Sequence, residues 1–194
     1  TWTGRSAVCA VAVRKGGKQV AAGLADGPAV VLDMSGATPK ELFAQTGHVA
    51  GVGSLAYSPD GNRVATVGGD GALRVWTVAE NGSLVPLVKF DGTAKPGGVL
   101  SPLTGVTFAP DGRYVAAVGA DAVVHVWDVQ TKSEVRGLRG HTDWVTAVAF
   151  SPDGRYLASV GVEKDKVLRI FELPPLEVTG GGGHVQGVNA VAVS

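Results

Sequence analysis

Apolar and polar residues alternate along this chain in short runs of strand length. One stretch shows the pattern in full, with predicted strands over 103–108, 113–118 and 123–127 and a weaker fourth over 133–138. Turn residues separate these runs, and no stretch carries a sustained helical periodicity. The pattern therefore predicts an all-β protein built from small antiparallel units.

A turn of nearly constant sequence separates the first two strands of each unit. Ser-Pro-Asp-Gly occupies 58–61 and 151–154, and Ala-Pro-Asp-Gly occupies 109–112. Proline sets φ at the second turn position, serine can bond the backbone ahead of it, and glycine accepts the last position. A degenerate copy stands at 14–17, and the approach to a further copy ends at Ser194.

The copies recur with a period that indicates the architecture. The positions equivalent to the turn serine are 14, 58, 109, 151 and 194, so the intervals are 44, 51, 42 and 43 residues. The long interval contains a Gly/Pro-rich insertion at 91–101. A period of about 40–45 residues is that of a four-stranded propeller blade.

The second copy carries the most specific motif. It runs from Gly-His at 47–48 through the turn at 58–61 to the third-strand segment Leu-Arg-Val-Trp at 73–76. These residues resemble the WD-repeat (WD40) family. The resemblance implies a buried hydrogen-bonded group of His48, Thr66, Asp70 and Trp76, which would rigidify the blade because buried polar groups need partners.

The other copies depart from this motif. We therefore predict a complete group only in the second copy. The fourth copy keeps His141 and Ser159 but has Phe171 in place of tryptophan, and a short insertion at 163–166 leaves the match of Asp165 open. The remaining matched positions are Ala117, Asp121 and Trp127 in the third copy and Ala22, Asp26 and Leu32 in the first.

The repeat predicts four four-stranded blades and one extra innermost strand. The blades cover about 1–46, 47–93, 94–138 and 139–182, and the extra strand lies within 183–194. Propellers close with about 4–8 blades, and the resemblance implies a ring at the larger end of that range, so we expect the chain to be part of a larger propeller. Two alternatives remain: two copies that pair into an eight-bladed ring, and an open arc with exposed apolar faces.

Composition narrows the classes of partner. Lys+Arg and Asp+Glu are equal at 17, so the chain has no general electrostatic case for nucleic acid or an anionic membrane. No apolar run reaches the length of a transmembrane span. The single cysteine, Cys9, excludes an internal disulfide, and we expect it to be a small buried hydrophobe.

Candidate chemistry is sparse. His48, His141 and His184 recur at one position of the repeat, so they lie in different blades and do not converge on a metal ion. His125 aligns with Arg74 and is expected in a surface or inter-blade role. A Gly-x-Gly-x-x-Ala match at 51–56 lacks the strand–helix context of a dinucleotide site. We therefore predict no catalytic residue, cofactor or metal.

Trp144, beside Asp143, is the candidate for partner binding. Glycine stands at the matching positions 51 and 187, so the fold does not require an aromatic side chain there. In proteins of the resembled family this loop lines one rim of the central channel, and packing on the neighbouring blade is the alternative role. The sequence predicts a non-catalytic scaffold for proteins or peptides; the alternative is a regulatory module appended to an enzyme outside this chain.

Overall fold

The computed structural model describes residues 1–92, 100–162 and 164–173, and the backbone of 190–192. Sixteen strands make up the regular structure of this part, and it contains no helix. The strands are β1 (Val8–Val13), β2 (Gln19–Leu24), β3 (Pro28–Asp33), β4 (Lys40–Thr46), β5 (Val52–Tyr57), β6 (Arg63–Gly68), β7 (Ala72–Val78), β8 (Leu84–Asp91), β9 (Leu103–Phe108), β10 (Tyr114–Gly119), β11 (Val124–Asp128), β12 (Ser133–Leu138), β13 (Val145–Phe150), β14 (Tyr156–Gly161), β15 (Leu168–Glu172) and β16 (Ala190–Ala192).

The strands form four separate four-stranded sheets, each an antiparallel meander of consecutive strands. We call them blades 1 to 4: β1–β4, β5–β8, β9–β12 and β13–β16. The first strands lie side by side, β1 on β5, β5 on β9 and β9 on β13, and the ring is not closed. The prediction of an all-β protein with blades of the propeller type is confirmed.

The turns between the first two strands have the predicted geometry. Gly61, Gly112 and Gly154 all have φ between 70° and 73°, where a side chain would be strained. In blade 2 the hydroxyl of Ser58 accepts a hydrogen bond from the Arg63 amide at 2.9 Å. These turns mark one end of the blades, which we call the turn face; the opposite end, where His48 and Trp144 lie, is the rim face.

Apolar side chains between neighbouring blades form the core. The cluster between blades 2 and 3 contains Val67, Leu73 and Phe90 from one sheet and Leu103 and Trp127 from the other. Similar clusters join blades 3 and 4 and blades 1 and 2. Blades 2 and 3 are apolar on both faces because each packs between two others, which explains their long runs of Val, Ala and Leu.

The structure differs from the sequence prediction at the last strand. Residues 190–192 were expected in an innermost strand of a fifth blade, but they pair with β15 and form the outer strand of blade 4. The open edge of β15 presents backbone groups that need partners, and an Ala-Val-Ala segment can supply them. The sequence prediction placed the end of blade 4 near residue 182. The segment that follows Leu173 begins with Pro-Pro and lies outside the described residues.

The expectation for Cys9 was also wrong, since its side chain is exposed. Ala10 and Ala12 of β1 pack toward blade 2, so the alternation of the strand turns Cys9 to the opposite side. Val11 and Val13 share that side and are both more than half exposed. The inner strand of blade 1 therefore lacks the cover that a preceding blade would supply.

In the described part of the chain, no helix is long and apolar enough to cross a membrane.

Candidate functional site

The four residues of the predicted group in blade 2 lie together at the rim face. His48 reaches down from the segment before β5, with its Nε2 2.9 Å from the Thr66 hydroxyl and its Nδ1 2.8 Å from the Asp70 carboxylate. Trp76 Nε1–H donates to the same Thr66 oxygen at 3.0 Å. The group ties together the loop, the second strand, the following turn and the third strand of one blade.

His48 Nδ1 has two polar neighbours, the Asp70 carboxylate at 2.8 Å and Arg74 Nη1 at 2.9 Å. Because Thr66 accepts from Trp76, its own hydroxyl proton is available to His48 Nε2, and Nδ1–H then donates to Asp70. Burial lowers the pKa of His48, and this outweighs the opposing effect of Asp70. In this arrangement the neutral imidazole has a hydrogen-bond partner at each ring nitrogen, and Arg74 donates to Asp70 instead of to the ring.

A guanidinium completes the charge balance of this group. Arg74 Nη1 lies 2.9 Å from Asp70 Oδ2, so the carboxylate has a permanent cation beside it. Burial would raise the pKa of Asp70, but the hydrogen bonds from His48 and the Ala72 amide, together with the Arg74 charge, lower it. Sequence reasoning had not placed Arg74 in the group, although its i, i+4 spacing from Asp70 was a usable signal.

Blade 4 contains a similar group without the tryptophan. His141 contacts Asp165 through Nδ1, and its Nε2 lies 2.7 Å from the Ser159 hydroxyl. Asp165 also accepts from the Thr142 amide at 2.9 Å. Burial would raise the pKa of Asp165, but these hydrogen bonds lower it to about 2. Asp165 is therefore the aspartate of this group, a match that the insertion at 163–166 had left open.

Blade 3 places a different group at the corresponding position. His125 Nε2 lies 2.8 Å from Asp121, and Nδ1 lies 2.6 Å from Glu134. The ring is buried and stacks on Trp127 at a centroid distance of 5.1 Å. The expectation of a surface or inter-blade histidine is wrong, because both ring nitrogens are bonded inside the blade. Sequence reasoning missed Glu134, which lies on β12, nine residues away.

The pKa of His125 moves in the opposite direction from that of His48. Burial alone would lower it, but hydrogen bonds to Asp121 and Glu134 and their negative charges raise it above the ordinary value. Two carboxylates on the two ring nitrogens favour the imidazolium, because both nitrogens must donate.

Blade 1 fills the corresponding space with apolar side chains. Trp2 packs against Leu24, Val30 and Leu32 of β2 and β3, and these three are buried. Leu32 stands where blade 2 has Trp76. Trp2 was not singled out from the sequence; its place before the first strand, two residues before the position that matches His48, was the available signal.

The candidate binding residues lie on the rim face. The Trp144 side chain is 47% exposed, while its carbonyl accepts from the Val162 amide at 3.0 Å. The Trp144 amide donates to the Asp143 carboxylate at 2.8 Å. The backbone is therefore anchored, while the indole is exposed and Asp143 is partly exposed.

Among the described residues, no group of three or more His, Cys, Asp or Glu side chains is placed to hold a metal ion. His184 and most of the insertion at 91–101 lie outside the described residues. Each of the three described histidines has both ring nitrogens bonded within its own blade. Such groups hold strands and turns together.

Comparison with known proteins finds the same repeat. The family model "WD domain, G-beta repeat" matches residues 39–77, 88–128 and 132–172, which together cover more than half of the chain. The Protein hir1 of Schizosaccharomyces pombe is 36% identical over 90 residues, 44% of this chain and 10% of that protein. The Small ribosomal subunit protein RACK1 of Medicago sativa is 31% identical over 93 residues, 48% of this chain and 25% of that protein.

A shorter match reaches the Probable serine/threonine-protein kinase PkwA of Thermomonospora curvata. It is 48% identical over 40 residues, 21% of this chain and 5% of that protein. The chain thus spans a quarter or less of the length of these relatives. Each matched repeat runs from the fourth strand of one blade through the first three strands of the next, and the chain belongs to the WD40 repeat family.

Proposed function

We propose that this chain is a non-catalytic scaffold for protein interactions and that its four blades belong to a larger propeller of the same polypeptide. WD40 repeats are generally interaction scaffolds, and the described histidines and their carboxylate partners are engaged in blade structure. One observation carries the proposal of further blades: the face of blade 4 that points away from blade 3 exposes residues whose counterparts in blades 2 and 3 are buried.

One cross-strand pair occupies the same register in blades 2, 3 and 4. In blades 2 and 3 both members of this pair are 0% exposed, because the next blade covers them. In blade 4 they are 36% and 45% exposed. The pairs are Val67–Leu73, Val118–Val124 and Val160–Leu168.

A hydroxyl near this pair supports the same conclusion. In blade 3, Thr104 donates to the Val145 carbonyl of blade 4 at 2.7 Å, across the blade boundary. Its counterpart in blade 4 is Thr146, which is exposed on the open side. The open face of blade 4 therefore has the same kind of apolar surface and hydroxyl donor through which blade 3 contacts blade 4.

Trp144 and Asp143 form the proposed contact surface for partner proteins or peptides on the rim face. An exposed aromatic side chain on an anchored backbone loses little conformational entropy on binding, so it suits a hot spot. The balanced charge argues against nucleic acid and membrane as partners.

Sedimentation equilibrium tests the open face of blade 4. We expect association that rises with concentration and weakens in Leu168→Asp, because an apolar blade face seeks cover. Leu87→Asp is the matched control, since Leu87 has similar exposure on the outer strand of blade 2. A monomer at all concentrations would oppose the proposal, and a stable species of twice 19.7 kDa would favour the eight-bladed dimer.

A second candidate function is a regulatory propeller attached to an enzyme. The match to a probable protein kinase favours it, although only 5% of that protein is covered. Expression of the gene's full product and an assay for phosphoryl transfer would separate this function from a free-standing scaffold.

A further inference from the structure

The turn face carries a pocket between blades 3 and 4. Its volume is about 500 Å³, and its walls include Pro110, Tyr114 and Phe150. Three carboxylates, Asp111, Asp153 and Glu172, and one guanidinium, Arg155, surround it. The net charge of the side chains around the pocket is therefore negative.

The other two crevices of the turn face each contain an arginine from the preceding blade. Arg14 of blade 1 donates from Nε to the Gly61 carbonyl of blade 2 at 2.6 Å. Arg63 of blade 2 lies over the Phe108 ring of blade 3, 6.0 Å from the centroid. Its Nη2 is 3.3 Å from the place that a Cβ of Gly112 would occupy.

The crevice between blades 3 and 4 has no arginine in that position. Blade 3 has Tyr114 where blade 2 has Arg63, as the strand registers show. The adjacent Arg113 lies over the Tyr114 ring, 5.1 Å from its centroid, and binds the buried Asp128 carboxylate, with Nε–Oδ2 2.8 Å and Nη2–Oδ2 2.7 Å. At Gly154 the nearest atom to a Cβ position is from Pro110, at 3.6 Å.

Arg155 does not fill the pocket either. Its guanidinium lies over the ring of Tyr156 in its own blade, 5.6 Å from the centroid, and its side chain is largely exposed. Its contact with Glu172 is long, at 3.6 Å, and such exposed pairs are weak. Phe150 is only partly buried, whereas its counterpart Phe108, beneath Arg63, is buried.

We propose that the pocket between blades 3 and 4 binds an arginine side chain presented by a partner protein. The guanidinium lies over Phe150, as Arg63 lies over Phe108, and pairs with the carboxylates of Asp153 and Glu172. A planar guanidinium combines stacking on an aromatic ring with paired donors, which an ammonium does not. The inference deepens the scaffold function proposed above, because it identifies one class of side chain that the scaffold binds.

Titration of the ¹⁵N-labelled protein with the peptide Ac-Gly-Arg-Gly-NH₂, followed by amide NMR, tests the site. We expect the Gly154 amide to shift, with weaker binding of the lysine peptide and loss of binding with citrulline, which has the same shape without the charge. Glu172→Gln weakens binding about two- to fivefold, the range of one exposed charge pair. Glu80→Gln, an equal charge change at another exposed site of the turn face, leaves it unchanged.

A gain of function completes the test. Arg63→Ala empties the crevice between blades 2 and 3, so the Gly112 amide should begin to respond to the arginine peptide. No response at Gly154 in the unaltered protein, equal binding of citrulline, or no response at Gly112 in Arg63→Ala would each overturn the proposal. Peptide binding is read at Gly154 and self-association through Leu168, so this site and the larger propeller can fail independently.

Discussion

Blades 2 and 3 place a cation at the same position of the third strand, but the two cations differ in kind. Arg74 pairs with Thr66 across the sheet, and His125 pairs with Ala117, the residue that replaces this threonine in blade 3. Both cations contact the aspartate of the preceding turn, Asp70 or Asp121. One is charged at every physiological pH, and the other titrates.

The difference shows that a repeat can conserve the position of a charge while changing the rest of the group. In blade 2 the arginine balances Asp70, so the histidine can stay neutral between Asp70 and a hydroxyl. In blade 3 no hydroxyl is available at Ala117, and the two carboxylates raise the pKa of the histidine and favour its charged form. The same fold therefore contains two buried histidines with pKa values displaced in opposite directions.

The largest expected effect comes from removing the histidine of blade 2. His48→Ala leaves Thr66 and Asp70 without their buried partner, so the free energy of unfolding should fall by about 2–4 kcal/mol. Urea denaturation measures the loss, with Val49→Ala at the exposed neighbouring position as control. A loss below about 0.5 kcal/mol, typical of a surface change, would contradict the assigned role.

The next effect is a pH dependence of opposite sign in the two blades. The pKa of folded His125 is raised, so its stabilisation is full below the unfolded value of 6.5 and is lost as pH rises through the folded pKa. The pKa of folded His48 is lowered, so stability is lost as pH falls below 6.5. Each group contributes at most about 1.4 kcal/mol per pH unit.

Histidine ring chemical shifts during a pH titration measure both pKa values directly. We expect the His125 signal to titrate above 6.5 and the His48 signal below it. His125→Arg should remove the loss of stability at alkaline pH by giving blade 3 the cation of blade 2. Two coincident titrations near 6.5 would show that the two blades do not differ in this way.

A smaller effect follows from weakening blade 2 toward the form found in blade 4. Trp76→Phe removes the indole N–H that donates to Thr66. Blade 4 already has phenylalanine, Phe171, at the matching position of its third strand. The variant should lose about 1–2 kcal/mol, from one hydrogen bond and a reduced packing volume. Thermal or urea unfolding measures it, and a loss equal to that of His48→Ala would indicate that the tryptophan is indispensable to the group.

The sequence was most informative where local rules act alone. The turn motif and the apolar alternation predicted the strands of blade 3 to within one residue, because turn chemistry and a period of two are local properties. It was less informative where partners come from distant strands. Glu134 reaches His125 from β12, and Trp2 packs on blade 1 from the segment before β1; neither contact has a fixed spacing.

Two of the misjudged positions lie where the structure offers an open edge or face. Cys9 was expected to be buried because a free cysteine usually behaves as a small apolar residue, but β1 is covered only by blade 2. Residues 190–192 pair with β15 because backbone groups at a sheet edge need partners, which outweighs the sequence register of the repeat.

The smallest expected change in stability concerns the exposed tryptophan of the rim face. Trp76 and Trp127 are buried, whereas nearly half of the Trp144 side chain is exposed. Trp144→Ala should therefore change the free energy of unfolding by no more than about 0.5 kcal/mol, as for other surface positions. A loss near that of Trp76→Phe would assign Trp144 to packing and remove it from the proposed contact surface.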